Sequence, residues 1–191
     1  VGYSQKCADH LAKITGFPIH LAPDLIEATQ DTQAFVLYSS CMKSLAIKLS
    51  KVCNDLRLLS SGPRCGLREI NLPAKQPGSS IMPGKVNPVI AESLIQAASQ
   101  AIASDVAVLQ AGQWSFFELN TMLPFAAHNF IPSIEILGAA TRNFAERCVR
   151  GILATERGPE MVERGLAVCT GLVPYIGYDA SAAIAKQAAK T

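Results

Sequence analysis

Apolar residues recur along residues 35–59 with unusual regularity. Phe35, Tyr38, Met42, Leu45, Leu49, Val52, Leu56 and Leu59 are spaced 3-4-3-4-3-4-3. That is a heptad seam, and it predicts a helix packed almost parallel to its neighbours. Asp24, directly after Pro23, is the expected N-cap. A helix of thirty-odd residues from there spans roughly 50–55 Å at the helical rise. A compact globule of this length has a radius of gyration of only about 16 Å. The seam is therefore expected to meet helices of other chains. A second helix is predicted over Val89 to about Ala111, with Ala91, Ile95, Ala98, Ile102 and Leu109 along one stripe. Asp105 falls in that stripe, where a charge is costly unless it is paired. A third helix is predicted over Pro132–Arg150, with Ile134, Leu137, Thr141, Phe144 and Cys148 on one face. Shorter helices are expected at Ser4–Thr15, Pro159–Thr170 and Asp179–Lys190. No alternating strand pattern of useful length occurs, and aromatic Trp114–Phe117 is too short to assign. The fold class is all-α, a bundle of long helices.

Glycine and proline punctuate this pattern unevenly. Thirty-eight residues without either follow Pro23, then nine Gly or Pro fall within the 27 residues from Gly62 to Pro88, then none from Val89 to Ala111. Long helices separated by one elaborate loop are the expectation. The 191 residues suffice for one domain or a piece of something larger. Hydrophobic content of 49% with a net charge of +2 excludes intrinsic disorder. No run approaches 18 apolar residues, so no membrane span is expected. Lys and Arg are scattered rather than striped, which argues against a nucleic-acid partner. The Val1-Gly2-Tyr3 start lacks an initiator Met and a basic leader, as if cut from a longer chain. The six cysteines have no C-x-x-C spacing and the three histidines form no ligand pattern with them, so no metal site is expected. Reduced, mostly buried thiols in a cytoplasmic protein are the expectation.

The chemistry concentrates in Gly78-Ser79-Ser80-Ile81-Met82-Pro83-Gly84-Lys85-Val86-Asn87-Pro88, directly before a predicted helix. A P-loop fails on detail: five residues separate Gly78 from Gly84, and Val86 stands where a magnesium-holding hydroxyl belongs. A plain connecting loop accounts for Gly, Pro, Ser and Asn but not for Ile81 and Met82 within it. An anion-binding flap accounts for all of it. Gly78 and Gly84 serve as hinges, the Ser79/Ser80 region supplies hydroxyls and N–H groups, and Lys85 and Asn87 suit a carboxylate. A serine acts as a base only where its alkoxide is stabilised, which N–H groups and an ammonium in a dry site achieve.

That run resembles the flexible loop of the aspartase/fumarase superfamily, and the resemblance extends over essentially the whole chain. Residues 24–30, 54–64 and 69–73 resemble the central helix, the turn after it and the lead into the loop; 117–120 and 175–178 match further family positions. The wording of 24–29, 54–64 and 67–73 is closest to the aspartase branch. Residues 127–130 and 177–186 read more like class II fumarase, and Ala91 stands where aspartases commonly carry proline. The resemblance implies a lyase that takes aspartate to fumarate and ammonia, with fumarase chemistry or a non-catalytic helical assembly module as alternatives. It implies Ser79 as the general base, and Ser80 with the N–H groups near Ile81 and Met82 as holders of the carboxylate that becomes an aci-carboxylate. Lys85 and Asn87 would bind the other carboxylate, and Glu92 would orient a His from elsewhere in the assembly. His128, Arg57 and Arg64 are read as structural, the arginines pairing with acidic neighbours in the turn. No cofactor or metal is implied. The partners implied are a small dicarboxylate substrate and three further copies, in a homotetramer whose active sites are shared between subunits. Residues 1–151 would be the N-terminally truncated central helical domain, including loop 78–88, and 152–191 the start of a small helical C-terminal domain.

Overall fold

The computed structural model describes residues 2–190. The elements in order are α1 (Tyr3–Thr15), a 3-10 turn (Glu27–Thr29), α2 (Gln33–Leu59), β1 (Ile70–Asn71), α3 (Val89–Gln113) and α4 (Leu123–Arg147). A 3-10 turn (Val149–Gly151), β2 (Leu153–Ala154), α5 (Arg157–Arg164), a 3-10 stretch (Leu166–Leu172), α6 (Val173–Ile176) and α7 (Tyr178–Ala188) complete it. The fold is all-α. Among the described residues one small sheet pairs β1 antiparallel to β2, Ile70 opposite Ala154 and Asn71 opposite Leu153. Among the described residues no helix is long and apolar enough to cross a membrane.

Two compact units divide the chain, one of residues up to 48 with 97–138, the other of 49–96 with the residues from 139 onward. Each takes part of α2, α3 and α4, the first unit the longer part of all three. In the first unit, small side chains let the helices approach closely: Ser39 and Ala46 of α2, Ala97, Ala98, Ala101 and Ser104 of α3, and Ala126 and Ser133 of α4 are all buried. Asp105 is buried in the same core and forms an ion pair with Lys43 of α2. Ser40 Oγ donates to the same carboxylate at 3.4 Å. The predicted need for a partner is thus met across two helices. Phe130 of α4 makes edge-to-face contacts with Phe35 and Tyr38, ring centroids 5.9 and 5.5 Å apart. In the second unit the core holds Cys53, Ala91, Leu94, Phe144 and Cys148.

Several expectations shift. α2 begins at Gln33, not beside Asp24. The Asp24 carboxylate accepts from the N–H groups of Ile26 and Glu27 and so caps the short 3-10 turn, while Asp31 Oδ1 accepts from Gln33 N and caps the long helix. Twenty-seven residues give about 40 Å rather than 50–55 Å. α4 begins nine residues before the expected start and carries Pro132 inside it. Asn120 Oδ1 accepting from Met122 N opens that helix, within which Pro132 has no N–H to offer the His128 carbonyl four residues before it. On α2 the buried stripe is Ser39, Ala46 and Cys53, whereas Phe35, Tyr38, Leu45 and Val52 of the seam stay exposed. On α3 the buried face runs through Ala91, Leu94, Ala98, Ala101, Asp105 and Val108; Ile95 and Ile102 are half-buried at its edge and Leu109 is exposed. Of the six cysteines, all free, only Cys53 and Cys148 are buried; Cys41 is exposed because it lies about 200° around α2 from Ser39. Trp114–Phe117 runs into a tight turn, with Phe116 bridging to Leu119.

Candidate functional site

The segment from the end of α2 to the start of α3 lies wholly in the second unit. Its first turn folds back onto the helix end: Ser61 Oγ donates to the Leu58 carbonyl and accepts from Leu67 N at 3.1 Å, while Arg68 N donates to the Ser61 carbonyl at 2.9 Å. Gly66 is required here, since a Cβ on it would stand 2.2 Å from the Ser61 carbonyl carbon. Thr155 beside β2 then ties the segment down. Its Oγ1 hydroxyl donates to the Arg68 carbonyl at 2.6 Å, sharing that one proton with the Glu69 carbonyl at 3.1 Å, and its N–H donates to the Glu69 carbonyl.

Loop 78–88 is clamped at its base. Gly78 N donates to the Lys85 carbonyl at 2.6 Å, and Asn87 Nδ2 donates to the Gly78 carbonyl at 3.3 Å. A Cβ at Gly78 would stand 3.0 Å from Asn87 N, from Asn87 Oδ1 and from the Lys85 carbonyl oxygen. Gly84, at φ +79°, turns the chain with open space around it. Within the ring so closed, Ser79 Oγ accepts from both Ile81 N and Met82 N at 3.2 Å. Two donors converging on one hydroxyl oxygen lower the cost of negative charge there. Ser80, Ile81, Met82 and Lys85 are exposed, Ile81 to 85%. The loop therefore presents an apolar tip that nothing in the second unit covers. Asn87 is half-buried, and its carbonyl accepts from Val89 N as α3 begins.

Glu92, in the first turn of α3, faces the Arg57 guanidinium at 3.6 Å, and both side chains are partly exposed. Arg57 also donates to Asn54 Oδ1. Arg57 thus pairs across to α3 rather than with an acid in the turn, and Arg64 makes no ion pair among the described residues. The structure brings Ser79, Ile81 and Met82 together, and clamps Gly78 against Lys85 and Asn87. It directs the Glu92 carboxylate to Arg57. That partner escaped the sequence reading, although one signal existed: Arg57 has no acid three or four residues away on either side. A cleft of about 740 Å³ opens beside the loop, lined among others by Arg68, Asn71, Lys85 and Asn87. His128 lies on α4 in the first unit, at an open cavity with Gln100, Ser104 and Glu135. Burial pushes the Cys53 thiol up to about 11, reinforced by Cys148 and opposed by Arg57; burial likewise raises Cys148, with Lys75 opposing. Both thiols are thereby held more in the protonated form than a free cysteine, which lowers their nucleophilicity. Among the described residues no group of three or more His, Cys, Asp or Glu gathers as metal ligands.

Comparison with known proteins places this geometry in context. A sequence family described as lyase matches residues 1–103. An aspartate ammonia-lyase of Pseudomonas aeruginosa is 52% identical over 98% of the chain and 40% of its own length. A crystal structure of a fumarate lyase:delta crystallin from Brucella melitensis in native form superposes with a TM-score of 0.91 at 48% identity, covering 99% of this chain and 44% of that one. A recombinant class II fumarase from Schistosoma mansoni superposes with a TM-score of 0.92 at 35% identity, over 99% of this chain and 43% of that one. The chain thus spans about 40% of the length of the curated relatives it matches.

Proposed function

The chain belongs to the lyase family, and from that premise we propose that it is the central part of an aspartate ammonia-lyase, converting aspartate to fumarate and ammonia. The observation that carries this reading is the clamped loop, with two N–H groups aimed at Ser79 Oγ. Ser79 takes a proton from the carbon next to one substrate carboxylate. The electron pair of that C–H bond moves into the carboxylate, which becomes an aci-carboxylate. Collapse of that species forms the double bond and expels the amine from the neighbouring carbon as ammonia. Ser80 and the Ile81–Met82 backbone hold the carboxylate that gains charge. In the conformation described here the two N–H groups are taken by Ser79, so this role requires them to be shared as the loop closes. Lys85 and Asn87 bind the other carboxylate, and Glu92, held by Arg57, orients a His from another part of the assembly. The scheme calls on no cofactor.

The exposed seam of α2 and the exposed loop tip support a homotetramer in which subunits complete one another's sites. This segment alone is then inactive. Residues 152–191 are the start of a small C-terminal domain, and the protein is cytoplasmic. Class II fumarase is the second reading, favoured by the superposition on the Schistosoma enzyme. Full-length protein offered aspartate and malate separately decides between them. The proposal expects fumarate absorbance from aspartate with release of ammonia; fumarate from malate alone overturns it.

A further inference from the structure

We propose that Arg68 is a specificity-determining residue of the same cleft, holding with Lys85 and Asn87 the carboxylate distant from the proton removed. The inference rests on the lyase reading above. Arg68 has φ +49°, a conformation that long L side chains rarely adopt. The backbone is held there from both sides, its N–H on the Ser61 carbonyl and its carbonyl on Thr155 Oγ1. A glycine would meet that backbone requirement without strain. The chain nevertheless places a guanidinium there and uses it in none of the ion pairs among the described residues. Arg68 lines the 740 Å³ cleft together with Lys85, Asn87 and Asn71. A guanidinium presents a planar fork that matches a carboxylate, whereas the Lys85 ammonium acts as a point charge. Two cations and two amides around one cleft favour a second full negative charge on the ligand over an amide in its place. Arg68 also borders a neighbouring cleft that holds Glu156 and Glu160, so an internal role toward those carboxylates is the competing account.

The test uses the full-length protein with Arg68→Gly, which relieves the backbone, and Arg68→Gln, which keeps a polar side chain. Calorimetric affinities for succinate and for its monoamide are compared. The expected result is a loss of about tenfold in preference for the dicarboxylate in both variants, the scale of a lost charge-assisted hydrogen bond. The Michaelis constant for aspartate rises by a similar factor while kcat holds. Arg68→Lys restores part of the preference, and Arg68→Gly melts no lower than the parent. An unchanged ratio of succinate to monoamide affinity in both variants overturns the proposal. So does a loss of thermal stability matched by Glu160→Gln with binding intact, which assigns the guanidinium to the cleft of Glu156, Arg157 and Glu160. Failure of the parent to turn over aspartate counts against the lyase reading alone, because the affinity ratio is read without turnover.

Discussion

Substituting Gly78 by alanine perturbs the loop at the point where its two ends meet. The backbone there is not left-handed, so alanine is conformationally acceptable and the effect comes from contact alone. The added methyl would stand 3.0 Å from three polar atoms, Asn87 N, Asn87 Oδ1 and the Lys85 carbonyl oxygen. These atoms belong to the two residues that clamp the loop, through the Gly78 N–H and the Gly78 carbonyl. Moving them aside weakens two hydrogen bonds, each of about 0.5–1.5 kcal/mol net. A loss of about 1–3 kcal/mol in the closed arrangement is about 5- to 150-fold in kcat/KM if catalysis needs that arrangement. The loop is largely exposed and contributes little to the core, so the melting temperature should barely move. The assay is fumarate formation by the full-length protein, with thermal melting of the same samples. Gly84→Ala is the control: it carries the left-handed strain of about 1–2 kcal/mol but meets no atom within 4 Å. Gly78→Ala with parental kcat/KM would refute the reasoning that the clamp sets the geometry of Ser79.

Lys43→Met leaves the Asp105 carboxylate with the Ser40 hydroxyl as its one side-chain partner among the described residues. Because Lys43 is partly open to water, the cost expected in urea unfolding of the full-length protein is about 2–4 kcal/mol, and Asp105→Leu in the same chain should recover most of it. A change below about 0.5 kcal/mol, the size of an ordinary surface substitution, would contradict the pairing. Cys53 gives a pH signature. Its pKa is raised from the usual 9.0 to about 11 in the folded chain, so between those values the unfolded chain has lost a proton that the folded chain keeps. Its contribution to stability is therefore intact below pH 9 and declines as pH rises toward about 11. Alkylation at pH 8 should modify exposed Cys65 well before Cys53 or Cys148; equal rates in the native protein would contradict their burial.

The long helices and the loop were legible in the sequence because their signals are local. Gly and Pro crowd the stretch between α2 and α3, and the loop motif is contiguous, whereas Pro132 inside α4 misplaced the start of that helix. What escaped depends on contacts between segments. Asp24 and Asp31 are both competent caps, and only the 3-10 turn between them decides which one opens α2. The heptad seam reads as a surface for other chains, and Phe35, Tyr38, Leu45 and Val52 are exposed in this one; what escaped is the face that packs within the chain, Ser39, Ala46 and Cys53, whose small side chains permit close helix approach but give no apolar periodicity. Asp105 was recognisable as needing a cation, but Lys43 lies 62 residues away. The pairing of Glu92 with Arg57 was hidden for the same reason. Arg68 left no sequence signal, since a positive φ on arginine is visible only in the backbone.

The central claim is that Ser79 is the base of an ammonia-lyase. Ser79→Ala in the full-length protein tests it most directly, with turnover of aspartate and assembly state measured on one preparation. A positioned general base contributes about 10²- to 10⁴-fold, so kcat should fall by that factor while the assembly stays intact. Turnover within a few-fold of the parent, by an equally assembled variant, would contradict the claim.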